Sequence, residues 1–111
     1  MKISKGKLVI FLFLASILGI FAFLWNVQKS TTAEVQAYLV GVKGYSKADI
    51  LAMDTRFGKA PLVSTEVIFK DEPNARYFYK KENGAIFQYN SAPVQGVDPD
   101  YSYKHLEPVS P

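Results

Sequence analysis

The chain has no cysteine and only one histidine in 111 residues. Without cysteine it can form no disulfide and cannot be acylated as a lipoprotein. A small domain in an oxidising compartment would otherwise lean on such staples to compensate for a thin core. The lone histidine, His105, is a poor general base on paper. That work wants an imidazole oriented by a carboxylate beside a nucleophile. Glu107 is near in sequence, but both residues sit in a proline-punctuated tail, so His105 reads as a solvated tail residue. No Gly-rich phosphate loop and no hydrolase spacing of Ser, Thr or Lys is present. Excess charge is also missing from most of the chain. The 13 Lys and Arg outnumber the 10 Asp and Glu by three, and Lys2, Lys5 and Lys7 account for that difference. From Lys29 onward the chain is neutral, so it has no basic face of the kind that binds nucleic acid.

The dominant feature is a long apolar run. Leu8 to Trp25 carries no charge, and its only hydroxyl, Ser16, can bond back to a carbonyl one turn earlier. At 1.5 Å per residue the run rises about 27 Å as a helix, against a hydrocarbon core of about 30 Å. Trp25 suits the headgroup layer, and the preceding lysines predict a cytoplasmic N-terminus with the rest exported. Residues 1–7 then form a cytoplasmic basic segment and residues 8–27 a transmembrane anchor in contact with the lipid bilayer. Cleavage as a signal peptide is the alternative. The run exceeds the usual apolar core of about 7–15 residues, and no A-x-A site follows; the nearest approach is Thr31-Thr32-Ala33.

Residues 28–89 are expected to form one small α+β domain: a helix packed on an antiparallel meander of about four strands. Thr31 and Glu34 have capping-box spacing, and Val35, Tyr38, Leu39 and Val42 make one apolar helical face. Gly44 stands where a left-handed residue ends a helix. Ser46 and Asp49 start a single turn. The period then changes to two. Leu51, Met53, Thr55 and Phe57 alternate with Ala52, Asp54 and Arg56, and Val63, Thr65, Val67 and Phe69 form the next inward set. Asp71-Glu72-Pro73-Asn74 reads as a turn. A third strand follows over 76–80, with Tyr77 and Tyr79 on one face and Phe78 on the other. Asn83-Gly84 predicts a type I′ hairpin into a fourth strand over 85–89. The Pro-rich tail, 90–111, has no period, although Val94, Val97, Tyr101, Tyr103 and Leu106 could pack down as an irregular strap or an edge strand.

Aromatic residues are abundant for so small a domain, and alternation places them on both sheet faces. A helix covers one face only. The candidate partner surface is therefore Arg76, Tyr77, Phe78, Tyr79, Phe87 and Tyr89, since Tyr and Arg are favoured at protein interfaces. Asp71 and Glu72, with Asp98 and Asp100, are the candidates for an oxygen-rich metal site or a paired-carboxylate hydrolase. An EF-hand from Asp98 fails, because Tyr103 and Val109 occupy the positions that need glycine and glutamate. No catalytic, cofactor-binding or metal residue is assigned, and no cofactor is expected.

The lysine-flanked anchor, Tyr38-Leu39 through Lys43-Gly44-Tyr45, Asp49-Ile50, and Phe69 to Asn74 leading into Tyr77-Phe78-Tyr79 together carry a resemblance. Residues 1–90 resemble an uncharacterised Gram-positive family of small single-anchor membrane proteins that carry a domain of unknown function. That resemblance implies a cell-membrane address and no activity. A looser likeness of architecture links the chain to PepSY-type modules, which suggests a secreted peptidase modulator. The expected role is a non-enzymatic, extracytoplasmic interaction or regulatory module with a membrane or cell-wall protein partner.

Overall fold

The computed structural model describes residues 2, 4–96 and 100–107. Its first element is a single helix, α1, Lys5–Gly41, of 37 residues. Ser4 caps it by accepting from the Lys7 amide at 3.3 Å. The first half of α1 is long and apolar enough to cross a membrane, and none of its apolar window is buried against the rest of the chain. Ser16 donates to the Leu12 carbonyl at 2.9 Å, which satisfies the one hydroxyl in that stretch.

The helix does not restart at Thr31. Thr31 lies inside α1, and Thr32 donates back to the Gln28 carbonyl at 2.9 Å. Residues 26–33 contain no Gly or Pro to break the backbone ladder, and the next strands hold this stretch from the side. Gly44 does take the left-handed conformation, at φ +82°, beyond the helix end. The Tyr45 amide then turns back to the Leu39 carbonyl at 3.0 Å.

A short 3₁₀ turn, Lys47–Asp49, leads into four strands: β1 Ile50–Phe57, β2 Val63–Phe69, β3 Glu72–Glu82 and β4 Ala85–Pro93. They pair antiparallel in chain order. Asn83 and Gly84 both adopt positive φ in the β3–β4 hairpin. The turn expected over 71–74 sits earlier, at Lys70-Asp71, and Glu72 to Asn74 belong to β3. In β1 only Met53 and Thr55 of the expected set turn inward. Register breaks between Ile50 and Ala52, and Leu51 and Phe57 are exposed.

The core forms where the second half of α1 lies on the sheet. Val35 and Leu39 meet Val67, Phe69, Ala75, Tyr77 and Tyr79, with Tyr38, Tyr45, Ile50 and Met53 around them. Each large apolar side chain fully buried here contributes about 1.5–3 kcal/mol. Polar links fasten α1 to β1. Gln28 Nε2 donates to the Thr55 carbonyl at 2.8 Å, and the Thr32, Thr55 and Thr65 hydroxyls form a chain with gaps of 2.6 and 2.8 Å. One helix therefore serves both as the apolar rod and as the lid of the domain. The molecule is accordingly elongated, 67 × 32 × 27 Å.

Candidate functional site

Strand alternation splits the six candidate surface residues into two groups. Tyr77 and Tyr79 face α1 and are completely buried, so they are core and not contact surface. Arg76, Phe78, Phe87 and Tyr89 lie on the opposite face of β3 and β4. Phe87 is covered there by Lys80, whose Nζ sits 5.2 Å from its ring centre and 5.6 Å from that of Tyr89. The Arg76 guanidinium lies 5.5 Å over Phe78, and the Phe78 and Tyr89 rings are 6.2 Å apart. Stacked cations of this kind contribute about 0.5–1 kcal/mol at exposed positions. Tyr89 is pinned by a 2.5 Å hydrogen bond with Ser64. Arg76 is pinned by Glu66 at 3.6 Å and by donation to the Pro93 carbonyl at 3.2 Å. The result is a half-buried aromatic patch with its cations held in place.

The inner face is closed by two elements of the same chain. The second is a strap, residues 101–107, in the Pro-rich tail. Tyr101 and Tyr103 pack down as expected, whereas Leu106 and Val94 are exposed and Val97 lies outside the described residues. The strap's alternate residues Tyr101, Tyr103, His105 and Glu107 point inward. Side chains of the sheet hold its backbone. The His105 amide donates to the Tyr77 hydroxyl at 3.0 Å, the Glu107 amide to Gln88 Oε1 at 3.0 Å, and Gln88 Nε2 donates to the His105 carbonyl at 2.9 Å.

Two carboxylates organise this closure. Glu72 is buried and accepts from the Tyr77 and Tyr101 hydroxyls and, at 3.3 Å, from the Lys104 amide. Glu107 accepts from Tyr38 at 2.5 Å and Tyr79 at 2.9 Å, with Lys43 Nζ at 3.6 Å. The tyrosines respond electrostatically. Burial, then the Glu107 hydrogen bond, raises Tyr38 well above the ordinary phenol range. Burial does the same to Tyr79 and Tyr77, reinforced by Glu107 and Glu72 respectively. The Glu72 hydrogen bond pushes Tyr101 up to about 12.

His105 is likewise not a solvated tail residue. Its ring stacks on Phe69 at 4.0 Å between centroids. Nδ1 meets the Tyr45 hydroxyl at 2.8 Å, and Nε2 meets Asp71 Oδ1 at 2.8 Å. The His105 hydrogen bond holds the Asp71 carboxyl below its usual range. Both ring nitrogens are thus engaged within the protein, which makes the trio a clasp. A hollow of about 320 Å³, lined by Tyr45, Asp49, Lys70, Asp71 and His105, opens beside it.

The turn carboxylates proposed for hydrolysis or metal binding do not converge. Asp71 pairs with His105, while Glu72 points inward to tyrosines; Asp98 lies outside the described residues. Among the described residues no group of three or more His, Cys, Asp or Glu is placed to hold a metal ion. Period two over Tyr101, Tyr103, His105 and Glu107 was the sequence signal that could have revealed the strap. No family model, no curated protein and no solved structure matches the chain.

Proposed function

We propose that this chain is a single-pass membrane protein of the Gram-positive single-anchor type, with its N-terminus in the cytoplasm. Its extracytoplasmic domain is a non-enzymatic module that docks a membrane or cell-wall protein on the outer face of β3 and β4. The observation carrying this reading is the contrast between the two sheet faces. The chain closes its own inner face so completely that, among the described residues, no buried side-chain polar atom lacks a hydrogen bond. The other face is left with Phe78 and Tyr89 flanked by Arg76 and Lys80, a composition favoured where proteins meet.

Retention of the anchor is supported by the continuity of α1. Cleavage near Ala33 would remove Gln28 and Thr32, the two residues that tie α1 to Thr55, and the apolar segment would no longer be built into the domain. A photo-crosslinking residue at Phe78 in intact cells tests the docking face. The expected result is one reproducible adduct that disappears with Lys80→Glu and persists with Leu106→Ser. An adduct pattern indifferent to Lys80→Glu refutes the assignment.

A further inference from the structure

The geometry points to a second membrane contact: the β1–β2 loop, residues 58–62, with Phe57 and Leu62 at its base, rests in the headgroup layer beside Trp25. The inference builds on the spanning reading of α1 and adds an orientation for the domain.

The position of the loop follows from how β1 lies along the helix. At one end, Ile50 pairs with Phe69, whose ring is 4.8 Å from that of Tyr45, and the Tyr45 amide is bonded to the Leu39 carbonyl. At the other end, Thr55 is bonded to Gln28 and Thr32. From Leu39 back to Gln28 the helix descends about 16 Å at 1.5 Å per residue. From Ile50 to Thr55 the strand advances about 17 Å at 3.3 Å per residue. The two lengths match, so β1 runs down the helix toward the apolar rod.

Continuing from Thr55, Phe57 lies about 7 Å further down. Gln28 is only about 4.5 Å above Trp25. Leu62 shares a hollow with Thr31, about 9 Å above Trp25 by helical rise. The loop therefore occupies the height between Thr31 and Trp25, where the polar layer of a bilayer, roughly 5–7 Å thick on each side, would begin.

The loop's chemistry fits that layer. Phe57 is 45% and Leu62 72% exposed. They flank a closed turn, with the Gly58 amide donating to the Leu62 carbonyl at 2.9 Å. Lys59 is exposed at the tip, and Lys29 stacks over the Trp25 ring at 5.0 Å. Apolar side chains with lysine beside them, level with an interfacial indole, match the composition of interfacial membrane contacts. The occupant is the lipid surface itself, continuous with the span, and a protein neighbour is the competing outcome.

The absence of cysteine and the single tryptophan make the test direct. The full chain carrying Lys59→Cys, labelled with an environment-sensitive fluorophore, is reconstituted in phosphatidylcholine–phosphatidylglycerol vesicles. Lipids spin-labelled near the headgroup are then added. Trp25 and the label at 59 are expected to lose most of their emission, while a label at Gln95→Cys, at the far end of the sheet, keeps its own. Because the domain is fixed to α1, adding Phe57→Ser and Leu62→Ser should let the whole body tilt and lift the loop off the surface, recovering emission at 59 and leaving Trp25 quenched. A bright label at 59 beside a quenched Trp25 overturns the loop contact, leaves the spanning reading intact and points to a protein neighbour. A bright Trp25 overturns both. Quenching at 59 that survives the serine pair also overturns the inference, because the tether alone would then hold the loop in place.

Discussion

At the residue scale the domain depends on a few carboxylate–tyrosine contacts. Glu72 satisfies two phenols and one strap amide. Glu72→Ala would leave the buried Tyr77 hydroxyl without its acceptor, at about 1–3 kcal/mol for a buried group left unsatisfied, and would release the part-buried Tyr101 and Lys104 donors. The expected loss is roughly 3 kcal/mol, a large part of the 5–15 kcal/mol typical of a domain. Asp54→Ala, which removes an exposed partner of Arg56, should change stability by less than about 0.5 kcal/mol. Denaturant unfolding of the full chain in nanodiscs compares the two; equal losses would refute the ranking.

The same contacts dictate a pH response. Tyr38, Tyr77, Tyr79 and Tyr101 have folded-state values above the unfolded phenol value of about 10. Groups raised in this way stabilise fully below the unfolded value and lose that contribution as pH climbs through the folded one. Stability should therefore hold to about pH 10 and fall across about pH 10–12 and above. Phenolate absorbance followed with circular dichroism reads this. Of the seven tyrosines, these four and Tyr45, which burial also raises, should ionise together with unfolding. Gradual ionisation of all seven near pH 10, with the fold intact, would contradict the network.

At the element scale, the parts legible in the sequence are those whose cause is local. Asn83-Gly84 dictates its own turn, and the alternation of Thr65, Val67 and Phe69 reports one buried face. The parts that were not legible have distant causes. The Thr31–Glu34 spacing is a valid cap in isolation, but β1 packs against Gln28 and Thr32 and keeps the helix unbroken. Glu72 looks like a turn acid until Tyr101 and Lys104 arrive from the strap. The aromatic surface was half legible: alternation separates Tyr77 and Tyr79 from Phe78, yet sequence alone could not say which face α1 would take. The strap was legible only in part: Tyr101 and Tyr103 pack down as expected, but Leu106 stays exposed, and no regular strand pairing marks the segment, because its backbone bonds to side chains and not to a strand ladder. It should nevertheless behave as an integral element. Truncation after Gly96 would uncover Tyr77, Tyr79 and Gln88, so near-ultraviolet dichroism should collapse and a hydrophobic dye should bind. A truncated chain that unfolds as cooperatively as the parent would show the strap to be dispensable.

For the whole molecule, the decisive property is that α1 is continuous. A helix of 37 residues extends about 55 Å, well beyond a hydrocarbon core of about 30 Å. The excess is built into the domain core through Val35 and Leu39. No hinge separates span from domain, so whatever tilts the span also turns the β3–β4 face and the β1–β2 loop. A flexible tether would instead let the domain sample many orientations. Spin labels at Gly6→Cys and Gln95→Cys in nanodiscs discriminate between these geometries. The expected distance distribution is narrow, and inserting a short glycine segment after Val27 should broaden it while the labelled ends stay folded. A broad distribution in the parent chain would mean that Gln28 and Thr32 do not hold β1 in place. The orientation of both proposed contact surfaces would then be lost with that rigidity.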